Sequence, residues 1–394
     1  MPISLSFLRP PNTHVLLRNG TRRPNHWMQG LSLYGYHRYS SESSKEPLFT
    51  YHLGASASGK ATRLRPAEYG INFWTQSSIQ QEPSIFSSIQ KFSGEDAFFM
   101  SHVARSNRHV VLGLADGVGG WQDQGINPGL FSHGLCRYMA DATWRPEKES
   151  DLKPLNVLQK GYDQVKADKK VVAGGSTATV ATAQPDGSLE VANLGDSGFL
   201  ILSPGKVSYK SEPQTHAFNT PYQLSKLTPR MEAQRAIFGS GGQISESPSA
   251  SDITHHNLRH GDIALFASDG LWDNLSAMEV LKIVSSVMEK QGHWKASAKA
   301  ESPETAVNDD SLRALQPTRP EEADKDLAGH LAYAVMREAK LLSHDQKRDG
   351  PFAKEVHKAF PGEPYHGGKV DDICVVVCVA IQDKEGSWKP KAKL

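Results

Sequence analysis

Apolar residues in this chain gather in short runs separated by turn residues, a rhythm of many strands and few long helices. Residues 49–53 alternate apolar and polar with the period of a half-buried strand, which places the start of the folded part near Phe49. Residues 109–115 form an apolar run that stops at Asp-Gly-Val-Gly-Gly. Residues 177–183 and 189–193 read as a hairpin around Pro185-Asp186-Gly187, a turn whose residues favour the required backbone angles. Residues 199–202 predict another strand, ended by Ser-Pro-Gly. Residues 263–267 and 373–381 predict continuous apolar strands. Helical spacing covers residues 131–143, through Phe131, Leu135, Tyr138 and Met139. It returns over 276–289, where Ser276 as N-cap and Glu279 three residues later form a capping box. A further helix begins at about Asp324, with Leu327, Leu331, Val335 and Leu341 as its predicted core face.

Two segments break this rhythm. Residues 293–325 are rich in Ala, Ser, Pro, Glu, Asp and Lys without apolar periodicity, and predict a disordered insertion or mobile surface loop. Residues 1–41 carry Arg9, Arg18, Arg22, Arg23 and Arg38 but no Asp, Glu or Lys; the first acidic residue is Glu42. An Arg-rich, acid-free leader fits a cleaved mitochondrial transit peptide, with Arg38-Tyr39-Ser40 as the expected processing site. Pro10, Pro11 and Pro24 interrupt any long amphipathic helix there. Residues 384–394 read as a polar tail, leaving 49–383 for one catalytic domain.

Composition narrows the classes. The 394 residues are 38% hydrophobic and carry a net charge of +1, enough for a core and no support for a nucleic-acid or anionic-membrane surface. No run approaches the length of a membrane span. Three cysteines, Cys136, Cys374 and Cys378, argue against a disulfide framework and for a reducing compartment. In a strand, Cys374 and Cys378 would share a face and pack as small hydrophobes.

Candidate chemistry lies where acids abut the strand runs. Glu95-Asp96 precedes residues 97–100, Asp116-Gly117 follows 110–115, Asp269-Gly270 follows 263–268, and Asp371-Asp372 precedes 373–381. A strand tip is a rigid mount, and Gly after Asp116 and Asp269 allows close backbone approach. If the tips converge, they make an all-oxygen site that selects hard ions such as Mg²⁺ or Mn²⁺. Carboxylates packed together resist joint ionisation unless cations sit between them. Two metals so held can activate a water and clamp an in-line phosphoryl displacement. Each Asp-Gly alone is also an ordinary turn.

In order along the chain stand Gly94-Glu95-Asp96, Asp116-Gly117-Val118-Gly119-Gly120-Trp121, Gly175-Ser176-Thr177-Ala178, Asn193-Leu194-Gly195-Asp196-Ser197-Gly198, Ser268-Asp269-Gly270-Leu271-Trp272-Asp273 and Lys369-Val370-Asp371-Asp372-Ile373. This ordered set resembles the protein phosphatase 2C family over about residues 49–381. Trp121, the leader, Thr215-His216-Ala217-Phe218-Asn219 and Pro221-Tyr222-Gln223-Leu224 look like its mitochondrial branch, which is linked to dephosphorylation of matrix proteins, including the coenzyme Q biosynthesis machinery. The resemblance implies an α/β (α+β) fold, a four-layer αββα sandwich with two central antiparallel β-sheets flanked by helices. It implies a monomeric protein serine/threonine phosphatase in the mitochondrial matrix that acts on phosphoprotein substrates with two divalent cations.

Carried over position by position, Asp116 would bridge both metals, the Gly117 carbonyl would complete one site, and Asp269 and Asp371 would bind the other ion. Glu95 and Asp96 would act from the outer shell through bound waters. Asp196 and Asp273 would add a third metal site with Asp269. Lys91 stands where many relatives carry a phosphate-gripping Arg, and supplies the charge without the bidentate fork. Val118 replaces the His that many relatives place two residues after the bridging Asp, so leaving-group protonation falls to water or another group. None of the sixteen His has a sequence neighbourhood that singles it out.

Two other readings meet obstacles in the residues. Gly54-Ala-Ser-Ala-Ser-Gly59-Lys60-Ala61 nearly matches a phosphate-cradling P-loop, but Ala61 lacks the hydroxyl that would hold Mg²⁺, and Arg63-Leu64-Arg65-Pro66 opens a helix poorly. A Gly/Ser turn between early strands is expected there instead. A catalytically weak scaffold that binds phosphoproteins would lack a metal carboxylate, whereas Asp116, Asp269 and Asp371 are all present.

Overall fold

The apolar runs become strands of two stacked sheets. A computed structural model describes residues 48–62, 73–75, 92–103, 106–144, 146–238, 245–296, 305–315 and 327–384. The strands are β1 (Phe49–Ser58), β2 (Phe73–Thr75), β3 (Ala97–His102), β4 (Val110–Ala115), β5 (Gly174–Ser176), β6 (Ala178–Ala183), β7 (Ser188–Leu194), β8 (Gly198–Ser203), β9 (Lys206–Lys210), β10 (Thr215–Ala217), β11 (Thr220–Pro221), β12 (Leu224–Lys226), β13 (Asp252–Asn257), β14 (Ile263–Ala267), β15 (Trp294–Ala296), β16 (Thr305–Val307) and β17 (Ile373–Gln382). The helices are α1 (Gly129–Trp144), α2 (Pro154–Ala167), α3 (Pro229–Phe238), α4 (Asp269–Trp272), α5 (Ala277–Lys290), α6 (Asp309–Arg313), α7 (Leu327–Ser343) and α8 (Pro351–Ala359).

One sheet runs β2-β1-β17-β14-β8-β9 and the other β13-β7-β6-β4-β3, with antiparallel pairing throughout. β17 shows why its sequence is apolar without alternation. Its Ile373, Val375, Val377, Val379 and Ile381 pack under α5 and α7, whereas Cys374, Val376, Cys378 and Ala380 face the second sheet. A strand buried on both faces needs no polar positions. On the far side, Phe99, Val111 and Val180 pack against Phe131, Leu135 and Met139 of α1 and Val157, Leu158 and Val165 of α2. The layers are therefore helix, sheet, sheet, helix, as the sequence predicts.

Local signals hold in detail. The capping box of α5 forms, with Ser276 N–H donating to Glu279 Oε2 at 2.9 Å. In the β6–β7 turn, Asp186 Oδ1 accepts from Ser188 N–H at 2.9 Å. Cys374 and Cys378 share the inter-sheet face, and all three cysteines are free and buried.

Three expectations change. Of residues 54–61, Gly54–Ser58 is strand, paired with β17, and only the end is a turn. Leu341 is 46% exposed although predicted to face the core. The buried stripe of α7 continues through Leu331, Val335 and Ala339 at four-residue spacing, and Leu341 falls off that face. The 293–325 segment, predicted to be a disordered insertion, is ordered in part: β15 pairs with β16, and α6 follows. Trp294 and Leu312, 1% and 0% exposed, anchor these pieces beneath the first sheet's helices. A polar average over the segment conceals two large apolar anchors. Lys91, the 1–41 leader, residues 297–304 and 316–326 and the last ten residues of the tail lie outside the described residues.

Candidate metal centre

The site is assembled by strand ends. Asp116 follows β4, Asp196 lies between β7 and β8, Asp269 opens α4 after β14, and Asp371 precedes β17. The main chain around Asp116 is pinned twice: its N–H donates to Thr177 Oγ1 at 3.1 Å, and its carbonyl accepts from Thr177 N–H at 2.9 Å. Thr177 Oγ1 lies 2.8 Å from Ser197 Oγ, tying in the loop that carries Asp196. Gly117 bridges to Ser176 through the Asp116 and Gly175 carbonyls, so its own carbonyl is not consumed by that pairing. The Ser-Thr and Asp-Ser motifs thus act as fasteners for the acidic loop.

Asp372 has a scaffolding part that its sequence neighbourhood did not single out. Buried, it accepts from the main-chain N–H of Lys60 and from that of Glu95, the latter at 2.8 Å. It therefore joins the end of β1, the Gly94-Glu95 turn and β17. Gly94 takes φ +68°, and a Cβ there would stand 2.3 Å from Asp372 Oδ1. At Gly270 a Cβ would meet the Asp372 carbonyl oxygen at 2.0 Å. Both glycines are required by close approach to one aspartate.

The carboxylates converge. Asp269, Asp273 and Asp371 each offer an oxygen within 4.8 Å of the others, a set able to hold a metal ion. Burial first, then Asp96, Asp269 and Asp371, push the Asp116 carboxyl well above the usual carboxylate range. Burial and Asp269 raise Asp371 to about 6 and Asp196 to about 7, and raise Asp273 as well. Asp269 alone goes down: burial opposes its charge, but Lys369 and a hydrogen bond with Asp116 outweigh that. One ammonium, that of Lys369, does not balance so many acids, and the others keep protons to relieve mutual repulsion. Asp96 is fully buried; its Oδ2 accepts from Ser268 Oγ at 2.6 Å, while Oδ1 has no hydrogen-bond partner among the described residues. A surplus of buried negative charge and an orphaned carboxylate oxygen are what an all-oxygen cation site requires.

Clefts open on two sides of the cluster. One of ≈ 580 Å³ is lined by Asp196, Asp269 and Asp273 together with Phe218, Trp272 and Phe352. The other, ≈ 540 Å³, is lined by Lys60, Glu95, Gln122 and Asp372. Glu95 accepts from Lys60 Nζ at 3.1 Å and from Gln122 Nε2. Lys60 therefore brings a positive side chain to this edge. Lys369 enters the cluster from the other edge and contacts three of its aspartates. Neither lysine has a role legible in its sequence neighbourhood, because Glu95 and Asp269 reach them only through the fold. The structure also places a histidine next to the site: His133 Nε2 lies 3.2 Å from the Gly94 carbonyl, and burial pushes its pKa down to about 4.

Comparison with known proteins gives the same direction. The chain is 33% identical over 316 residues to the 5-azacytidine resistance protein azr1 of Schizosaccharomyces pombe, covering 79% of this chain and 91% of that protein. It is 31% identical over 290 residues to the human protein phosphatase PTC7 homolog, covering 73% and 80%. A Drosophila mojavensis PTC7 homolog is 34% identical over 297 residues, covering 74% and 80%. No family model matches the chain. In three dimensions it is similar to the photosystem II phosphatase PBCP, with TM-score 0.55, 23% identity, and 84% and 98% of the two chains covered. Identity of this order over most of each partner's length, joined to the same fold and a carboxylate cluster at the strand ends, means that the chain belongs to the protein phosphatase 2C family and is a protein phosphatase.

Proposed function

We propose that this phosphatase removes phosphate from serine and threonine side chains of mitochondrial matrix proteins with the help of two divalent cations, Mg²⁺ or Mn²⁺. The observation that carries the two-metal reading is the convergence of Asp116, Asp269 and Asp371, three acids more than 250 residues apart at their extremes, around an overcharged pocket. Asp116, with the Gly117 carbonyl, would hold both ions, and Asp269 and Asp371 would complete the set. Glu95 and the orphaned oxygen of Asp96 would orient water around them. When bound, such a pair of metals lowers the pKa of water and clamps the oxygens of an in-line displacement. The protein's share is to fix those ligands on main chain that Thr177 and Asp372 tie down, so that little reorganisation accompanies the reaction. Val118 offers no proton, and His133, buried and held neutral, is not poised to give one near neutral pH. Turnover is accordingly expected to show no sharp single titration near 6.5, the ordinary histidine value.

The test is activity on a phosphothreonine peptide. EDTA should abolish it and Mn²⁺ or Mg²⁺ should restore it. Asp116→Asn should lower turnover by roughly 10²–10³-fold or more, the scale of losing one fixed electrostatic group, with an unchanged circular dichroism spectrum. Near-normal, metal-dependent activity in that variant would remove the assignment.

The matrix location rests on the acid-free, Arg-bearing leader. A fluorescent protein fused behind residues 1–45 should accumulate in mitochondria. Uniform cytosolic fluorescence would contradict it.

A further inference from the structure

Within the acidic cluster one positive charge is already covalently present. Lys369 Nζ donates to Asp273 Oδ2 at 2.6 Å and Asp269 Oδ2 at 2.8 Å, and lies 3.2 Å from Asp371 Oδ2. On its outer side it donates to Asn219 Oδ1 at 3.3 Å and stands 5.0 Å from the centre of the Phe352 ring. The side chain is only 17% exposed. Its main chain is equally constrained. Lys369 N–H donates to Asn274 Oδ1 at 3.0 Å, and Asn274 Nδ2 donates at 2.8 Å to both the Lys369 carbonyl and the Gly270 carbonyl. Fully buried Asn274 thus clamps the lysine to the helix that carries Asp269. A lysine that merely drifted toward acids at a surface would show neither the main-chain clamp nor the aromatic backing.

The closest partner matters most. Asp273 offers an oxygen within 4.8 Å of Asp269 and Asp371 and lines one cleft with Asp196, where the family resemblance implies an additional cation. We propose that the ammonium of Lys369 is the resident cation of this outer part of the cluster and stands in place of a third metal, so that the chain loads two divalent ions and not three. The inference rests on the two-metal reading above. Its physical basis is charge and tethering. Two divalent ions leave Asp96, Asp116, Asp196, Asp269, Asp273 and Asp371 short of neutral, and an ammonium supplies part of the remainder. A cation attached to the chain is always present at high effective concentration, so a weakly held free ion must displace it. Lysine also offers three donors in a compact head; they go to Asp269, Asp273 and Asn219, and Asp371 is met as an ion pair. Its positive charge beside Asp269 and Asp371 then trims their net attraction for metal.

Metal stoichiometry tests this independently of turnover. Mn²⁺ is titrated into EDTA-stripped, desalted protein, and the free ion is counted by electron paramagnetic resonance. Wild type should saturate at two ions. Lys369→Gln should gain a third, weaker site, which Asp273→Asn added to it should remove. Lys369→Arg, which keeps the charge, should stay at two. Asp273→Asn alone should leave wild-type stoichiometry at two, and this arm holds even where Lys369→Gln folds poorly by circular dichroism. Three ions in wild type, two in a folded Lys369→Gln, or a loss of stoichiometry in Asp273→Asn would each overturn the proposal. Fewer than two ions in wild type would bring down the two-metal reading itself, and the lysine's role with it.

Discussion

Asp371 and Asp196 bind protons about two to three pH units above where an unfolded chain releases them. The folded, metal-free protein therefore holds more protons than the unfolded one between about pH 4 and 7, and stability from these groups falls as pH rises through that window. Buried His52, His102 and His133, each held down to about 4, work in the opposite sense over part of the same range. Those histidine contributions are common to stripped and loaded protein, so the difference between the two isolates the acids. The gain in melting temperature on adding Mn²⁺ should grow steadily from pH 5 to 8; a gain independent of pH would contradict the cluster's electrostatics. At this scale the sequence pointed to the acids that the fold brings together through their ordered combination beside strand runs, since any one Asp-Gly is also an ordinary turn. It named Lys60 only within the rejected P-loop match and Lys369 and Asp372 only as motif members. What each does depends on partners as far as 312 positions away, which no local pattern encodes.

Strands with one dominant requirement were the most legible elements. β17 must be apolar on both faces, and α5 carries its own start signal in Ser276 and Glu279. The β15–β16 hairpin and α6 were missed because their cohesion comes from two side chains, Trp294 and Leu312, inserted into a core built by distant helices. That origin makes a prediction. Trp294→Ala should lower unfolding free energy by about 3–5 kcal/mol, the usual cost of emptying a buried aromatic site. Chemical denaturation checks it, and a change below ~0.5 kcal/mol, typical of a surface position, would mean the hairpin does not anchor there. Leu341 has a local cause: it stands six residues after Val335, off the four-residue stripe of α7 that packs on β1 and β17.

Across the whole molecule, the sandwich puts its first and last strands side by side. β1 pairs with β17 along ten positions, from Phe49 opposite Gln382 to Ser58 opposite Ile373, and β14 pairs with β17 on its other edge. β1 therefore has only the short strand β2 on one edge until β17 covers the other. The sheet stays incomplete in any chain that stops short of β17, and Asp371 and Asp372 arrive with that strand. A chain stopped before Ile373 should lack near-ultraviolet circular dichroism and all phosphatase activity; native-like spectra from such a fragment would refute this. Closing the sheet and completing the acidic cluster are therefore one event, so a polypeptide lacking β17 has neither.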